Sequence, residues 1–149
     1  MINSQKKILF NSPFEMAVRI LLLLGISGNY LSADKILSLD FIICYSKDYG
    51  FEFANLHGVN MYKLSEIANR RKLVHNSIKS LVTKGMIQAK VDKGYTFCIT
   101  PSGKKFVDSL TSEYSSEYRK IGMAIIEKYG SEDEESLLKI LHSGKVSEV

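Results

Sequence analysis

Basic and amide side chains suited to contacting nucleic acid are concentrated in the middle of the chain. Residues 62–105 carry ten Lys and Arg against Glu66 and Asp92, a charge of +8, whereas the rest carries ten bases against fourteen acids, a charge of −4. Asn can pair with adenine, and Lys can bind guanine or phosphate. The candidate DNA-binding residues are Arg70, Arg71, Lys72, His75, Asn76, Lys79, Thr83 and Lys93. A solvated surface or a protein-docking module would show the same polar, basic face.

Two predicted helices would position these side chains. The first covers residues 62–69, and the second covers residues 72–84, with Arg70 and Arg71 at its amino end, where backbone amides favour phosphate. The core stripe of the second helix is Val74, Ile78, Leu81 and Val82. Gly85 follows as a residue suited to a left-handed helix end.

A β-hairpin is predicted directly after these helices. Apolar and polar residues alternate over 87–91 and 95–99, and Asp92, Lys93 and Gly94 form the turn. Thr100 is then predicted to cap a further helix that opens with Pro101. Helix, turn, helix, hairpin and helix in this order predict a winged helix-turn-helix in residues 61–110.

The remaining residues predict further helices around that module. We expect a mainly α protein with a small β-wing, in which two amino-terminal helices (residues 1–60) and carboxyl-terminal helices (residues 111–149) pack on the winged helix-turn-helix as a single compact domain.

Two amino-terminal helices are apolar on nearly every face. The first begins at the capping sequence Ser12-Pro13-Phe14-Glu15 and continues to Gly25, and the second covers residues 32–45. Because such helices leave apolar surface exposed unless it is covered, we expect a partner site or a homodimer of the isolated protein there. The candidate partner-binding residues are Phe14, Ile20 and Leu24 here, with Leu137, Leu138 and Leu141 in the carboxyl-terminal helix.

Asp40 lies within the second apolar helix. A carboxylate in such surroundings is costly without a partner. It either binds Arg19 or caps a neighbouring backbone segment, or it is a catalytic or metal carboxylate.

The carboxyl-terminal residues predict a helix over 111–129 and a short helix over 132–142, separated by Gly130. The short helix either folds back on the helix before it or docks on a partner, since about eleven residues are marginal as an isolated helix.

No enzyme signature is found. The sequence has no GxxxxGK[ST], HExxH or GxSxG motif, and His57, His75 and His142 are scattered. We therefore expect no catalytic residue, metal or cofactor. Cys44 and Cys98 lie in apolar runs and are expected to be buried thiols. The longest apolar run, residues 20–24, is too short to span a bilayer, so we expect a cytoplasmic protein without membrane contact.

Several segments together resemble a known family, the middle component of bacterial ABC-three component systems. They are NSPFEMAVRILLLL at 11–24, LDFIICYSKDYG at 39–50, Leu56 with His57, and the module at 62–106. The resemblance implies an accessory subunit of a defence complex against phage or plasmids, with an SMC/Rad50-like ATPase and an effector subunit as partners.

The expected function is therefore a non-enzymatic adaptor that docks on the ATPase and contacts double-stranded DNA through its winged helix. The alternative is a free-standing winged-helix transcriptional regulator that acts as a dimer.

Overall fold

A computed structural model describes residues 12–58 and 63–144. The chain is mainly helical, with one small antiparallel sheet. The helices are α1 (Pro13–Ser27), α2 (Ala33–Cys44), α3 (Ile67–Thr83), α4 (Pro101–Asp108), α5 (Glu113–Tyr129) and α6 (Glu134–Ser143). The strands are β1 (Leu31–Ser32), β2 (Ile87–Val91) and β3 (Tyr95–Ile99), and short 3-10 turns cover Ser46–Tyr49 and Lys63–Glu66.

Local capping signals confirm several predicted boundaries. Ser12 begins α1, and its side-chain oxygen accepts a hydrogen bond from the Glu15 amide at 3.1 Å. Thr100 caps α4 in the same way, with Pro101 at the first helical position. Helix α1 continues past the predicted end at Gly25 and stops at Gly28, whose φ of 65° suits glycine.

The predicted helix-turn-helix boundary is wrong. In place of a helix over 62–69 and a turn at Arg70 and Arg71, the structure has the 3-10 turn Lys63–Glu66 followed at once by α3, which contains both arginines. No glycine or proline interrupts residues 63–84, so nothing in the chain forces a break there. Residues 59–62, including the start of the predicted first helix, lie outside the described residues.

The hairpin is confirmed with the predicted bounds. Strand β3 lies between the other two strands in the order β1-β3-β2, and Phe97 is opposite both Leu31 and Ala89. At the turn, Lys93 has a φ of 54° and Gly94 has a φ of 109°. Positive φ at both positions fits the right-handed twist of the flanking strands.

The core is formed around α1 and α2. Helix α1 packs on α3, α4 and α5, and α2 packs on α3, α5 and α6. The side chains of Ile20 and Leu24 are fully covered by the chain itself. These two predicted partner-binding residues are therefore core residues of the chain in this structure, because the later helices cover them.

Helix α6 folds back, but not on the predicted helix. Leu137 and Leu141 are fully buried, and α6 packs mainly against α2 rather than α5. The Tyr49 hydroxyl donates a hydrogen bond of 2.6 Å to the Leu141 carbonyl and fixes the end of α6. These two leucines are thus core residues of the chain rather than an open partner surface.

Candidate partner and nucleic-acid interface

A buried ionic cluster centred on Asp40 orients α3. Arg19 of α1 donates from Nε to Asp40 Oδ1 at 2.9 Å and from Nη2 to Oδ2 at 3.3 Å. Arg70 of α3 donates from Nη1 to Oδ2 at 3.1 Å, and the Tyr118 hydroxyl of α5 donates to Oδ1 at 2.7 Å. One carboxylate therefore joins four helices, and of the alternatives left open for Asp40 the structure shows the pairing with Arg19.

The charge state of this cluster follows from its surroundings. Burial alone would raise the pKa of Asp40, but the charges of Arg19 and Arg70 and the hydrogen bonds from Arg19 and Tyr118 outweigh it and hold the pKa below its ordinary value of 3.8. The neighbouring Cys44 is buried, as expected, and burial raises the pKa of its thiol to about 11. Cys98 is only partly buried, contrary to expectation.

His57 extends the cluster to the loop that precedes α3. The ring accepts at Nδ1 from Arg70 Nη2 at 3.1 Å, because arginine has no acceptor. Nε2 therefore carries the proton and donates to the Tyr114 hydroxyl at 2.9 Å. Burial and the two nearby arginines lower the pKa of His57 to about 2, so the ring is neutral at physiological pH.

Arg70 is therefore not placed as a DNA contact. Its side chain is 3% exposed, and its guanidinium lies 5.1 Å from the centre of the Phe41 ring. The sequence predicts a phosphate contact for Arg70 because it places this residue at the amino end of a helix over 72–84, where backbone amides favour phosphate. In the continuous helix it lies instead on the same side as Val74 and Ser77, which are buried.

Another side of α3, next to the buried one, faces a cleft of about 1110 Å³. This α3–hairpin cleft is bounded by α3, by the hairpin β2–β3, by the start of α2 and by Glu134 at the start of α6. Five of the predicted DNA-binding residues line it together: Arg71, His75, Lys79, Thr83 and Lys93. Arg71 forms an exposed ion pair with Asp34 across the cleft.

Lys72 and Asn76 lie on an adjoining side of α3. Both are exposed and border a smaller depression of about 400 Å³ together with Asn69 and Leu73. The predicted set is thus divided between the cleft, this depression and, for Arg70, the interior.

Two predicted partner-binding residues are exposed. Phe14 is 68% exposed at the start of α1, and Leu138 is 42% exposed on α6. They belong to different helices, α1 and α6.

Sequence reasoning missed the apolar side chains of the cleft. Val82 is predicted to lie in the core stripe of its helix but is 38% exposed. Tyr30 and Tyr95 also line the cleft, and no sequence pattern marks either of them for that role. Alternation in the hairpin shows which side chains share a face, but not which face another helix leaves open.

Within residues 12–58 and 63–144, no three His, Cys, Asp or Glu side chains are grouped as a metal site would require. No helix in these ranges has both the length and the apolar character that spanning a membrane requires.

Comparison with known families gives one match that covers nearly the whole chain. The model of the family described as ABC-three component (ABC-3C) system Middle Component 2 matches residues 9–147. No curated protein and no solved structure matches the chain significantly.

Proposed function

The chain belongs to the Middle Component 2 family of ABC-three component systems, and on this premise we propose that it is a non-enzymatic accessory subunit that docks on an SMC/Rad50-like ATPase in defence against phage or plasmids. A middle component of a multi-component system has protein partners. The observation that carries the proposal is the extent of the match, residues 9–147, which includes all the helices and strands described above.

We further propose that the adaptor is built on a winged helix whose paired helices are α2 and α3. The element order helix, strand, helix, helix, strand, strand and the strand order β1-β3-β2 support this assignment. Residues 45–66 then replace the short turn of a simple helix-turn-helix, and the Arg70–Asp40 and Arg71–Asp34 pairs join α3 directly to α2.

We also propose that exposed side chains of α3 contact duplex DNA. Lys72 and Asn76 are exposed on α3 outside the α3–hairpin cleft, and neither is needed for the core. In this assignment they bind phosphate or base edges, while Arg70 holds the helix in place from inside. Arg71 contributes less, because its guanidinium is already paired with Asp34.

The test is assembly of the full chain with the ATPase and effector subunits of its own system. After co-expression, we expect the chain to co-elute with the ATPase in size-exclusion chromatography at a defined ratio. A chain that elutes as a homodimer whether or not the ATPase is present, and that binds a two-fold symmetric duplex by itself, would instead be a free-standing regulator.

A further inference from the structure

Exposed apolar side chains are concentrated at the α3–hairpin cleft. Eight large apolar side chains are exposed among the described residues, and Tyr30, Val82 and Tyr95 line this cleft. A fourth, Val91, is opposite Tyr95 in the hairpin, and the two are 71% and 67% exposed. Apolar surface gathered in this way marks a binding site more often than scattered residues do.

The charges of the cleft do not favour a phosphate backbone. Four bases line it, Lys35, Arg71, Lys79 and Lys93, against three acids, Asp34, Asp92 and Glu134. Arg71 and Asp34 neutralise each other, which leaves three bases and two acids. Duplex DNA is bound by surfaces with a clear excess of positive charge, so the lining is better matched to a polypeptide of mixed charge.

The shape of the α3 wall indicates the form of that polypeptide. Arg71, His75, Lys79 and Thr83 succeed one another every four residues and lie with Val82 along one side of the helix. Twelve residues of α helix extend about 18 Å, which is the length of roughly three turns of a second helix. The ion pair of Arg71 with Asp34 lies at one end of this wall, and Lys79 and Val82 lie toward the other.

We propose that the α3–hairpin cleft binds an amphipathic helix of the ATPase subunit, an inference that rests on the function proposed above. The apolar stripe of that helix packs on Val82, Tyr95 and Tyr30. Acidic residues beside the stripe pair with Lys79 and Lys93, and a basic residue at the other end meets Glu134. This is the helix-in-groove mode of recognition, in which the side chains at three- and four-residue spacing provide the contacts.

The test uses the full chain, its full-length ATPase and a fluorescence or calorimetric binding measurement. Val82→Glu places a carboxylate in the apolar part of the cleft and should weaken binding to the ATPase roughly tenfold or more. Lys79→Glu, at an exposed position that folding does not need, should weaken it severalfold, and the loss should diminish at high salt.

The matched controls lie outside the cleft. Met123→Glu makes the same apolar-to-acid change at a side chain of α5 that is 64% exposed, and Lys105→Glu makes the same charge reversal at an exposed position of α4. Both controls should leave ATPase affinity unchanged, and circular dichroism of all four variants should match the wild type.

Three results would overturn the inference. If the wild-type chain binds the ATPase and both cleft variants bind it equally well, the cleft assignment fails while the adaptor function stands. If the cleft variants lose affinity for a labelled duplex and keep their affinity for the ATPase, the cleft is a nucleic-acid site. If the wild-type chain does not bind the ATPase at all, the proposed function and this inference fail together.

Discussion

Arg70 and Arg71 are consecutive residues of one helix, yet they lie in opposite environments. Arg70 is buried and pairs with Asp40, whereas Arg71 is at the surface and pairs with Asp34, and both acids belong to α2. A rotation of about 100° per residue along an α helix separates the two side chains. The same residue type, with the same kind of partner, thus belongs to the interior in one case and to the cleft in the other.

The buried ion pair determines which side chains of α3 are exposed. A buried ion pair has little freedom, because either charge without its partner would be strongly unfavourable. Arg70 therefore fixes the rotation of α3 about its axis, and that rotation points Lys79 and Val82 into the cleft. An exposed pair such as Arg71–Asp34 is too weak to fix a helix by itself.

Replacing the acidic partner of each arginine should show the largest difference between the buried pair and the exposed pair. Asp40→Asn leaves Arg19 and Arg70 buried without a counter-charge and should lower the free energy of unfolding by about 3–5 kcal/mol. Asp34→Asn, on the exposed side, should change it by about 0–1 kcal/mol. Urea denaturation at pH 7 measures both, and equal effects of the two substitutions would refute the comparison.

The same pair of variants has a defined pH dependence. Because the pKa of Asp40 is lower in the folded protein than its ordinary value of 3.8, its stabilising contribution is complete above about pH 4. The contribution is lost as pH falls through the folded pKa. The stability difference between wild type and Asp40→Asn should therefore be constant from pH 5 to 7 and should shrink in acid.

Helix α6 offers the same contrast between inner and outer side chains. Leu137→Ala removes a fully buried side chain packed toward α2 and should cost about 2–5 kcal/mol. Leu138→Ala, one residue along and 42% exposed, should cost less than about 1 kcal/mol. Thermal melts of the isolated protein are the measurement. A large loss of ATPase binding by Leu138→Ala without loss of stability would add α6 to the partner interface.

His57, which contacts the buried Arg70, should make the free energy of unfolding depend on pH. Its pKa, lowered to about 2, means that the unfolded state takes up a proton below about pH 6.5 while the folded state does not. The free energy of unfolding should therefore fall as pH decreases from 6.5 to 4.5, by at most about 1.4 kcal/mol per pH unit from this residue. His57→Gln should flatten that dependence. An unchanged slope in the variant would mean that folding does not lower the pKa of His57.

The smallest expected effect concerns the exposed side of α3 and is a change in the salt dependence of DNA binding. If Lys72 contacts phosphate, Lys72→Ala should reduce the log–log salt slope by about one, at roughly 0.9 per contact. Lys79→Ala and Arg71→Ala should leave the slope nearly unchanged, because Lys79 lies in the cleft assigned to a protein partner and Asp34 already pairs with the Arg71 guanidinium. Fluorescence anisotropy of a labelled duplex at several salt concentrations provides the slopes, and an unchanged slope for Lys72→Ala would assign this face to protein alone.

Local signals made part of the fold predictable. The caps at Ser12 and Thr100 and the turn at Lys93 and Gly94 depend on backbone groups within four residues, so the sequence predicted where α1 and α4 begin and where the hairpin lies. The Arg19–Asp40 pair was also predictable, because a carboxylate inside an apolar helix needs a cation and Arg19 is the only base within α1.

The amino-acid sequence alone predicts the helical character of the chain, its hairpin, the basic character of residues 62–105 and the resemblance to a family. The burial of Arg70, the exposure of Val82 and the packing of α6 on α2 are visible only in the folded chain. Periodicity identifies the residues that share a face of a helix, but a face becomes interior only when a distant segment covers it. For α3 those segments are α1, α2 and strand β2, and their approach to α3 depends on contacts between residues tens of positions apart, such as Arg70 and Asp40.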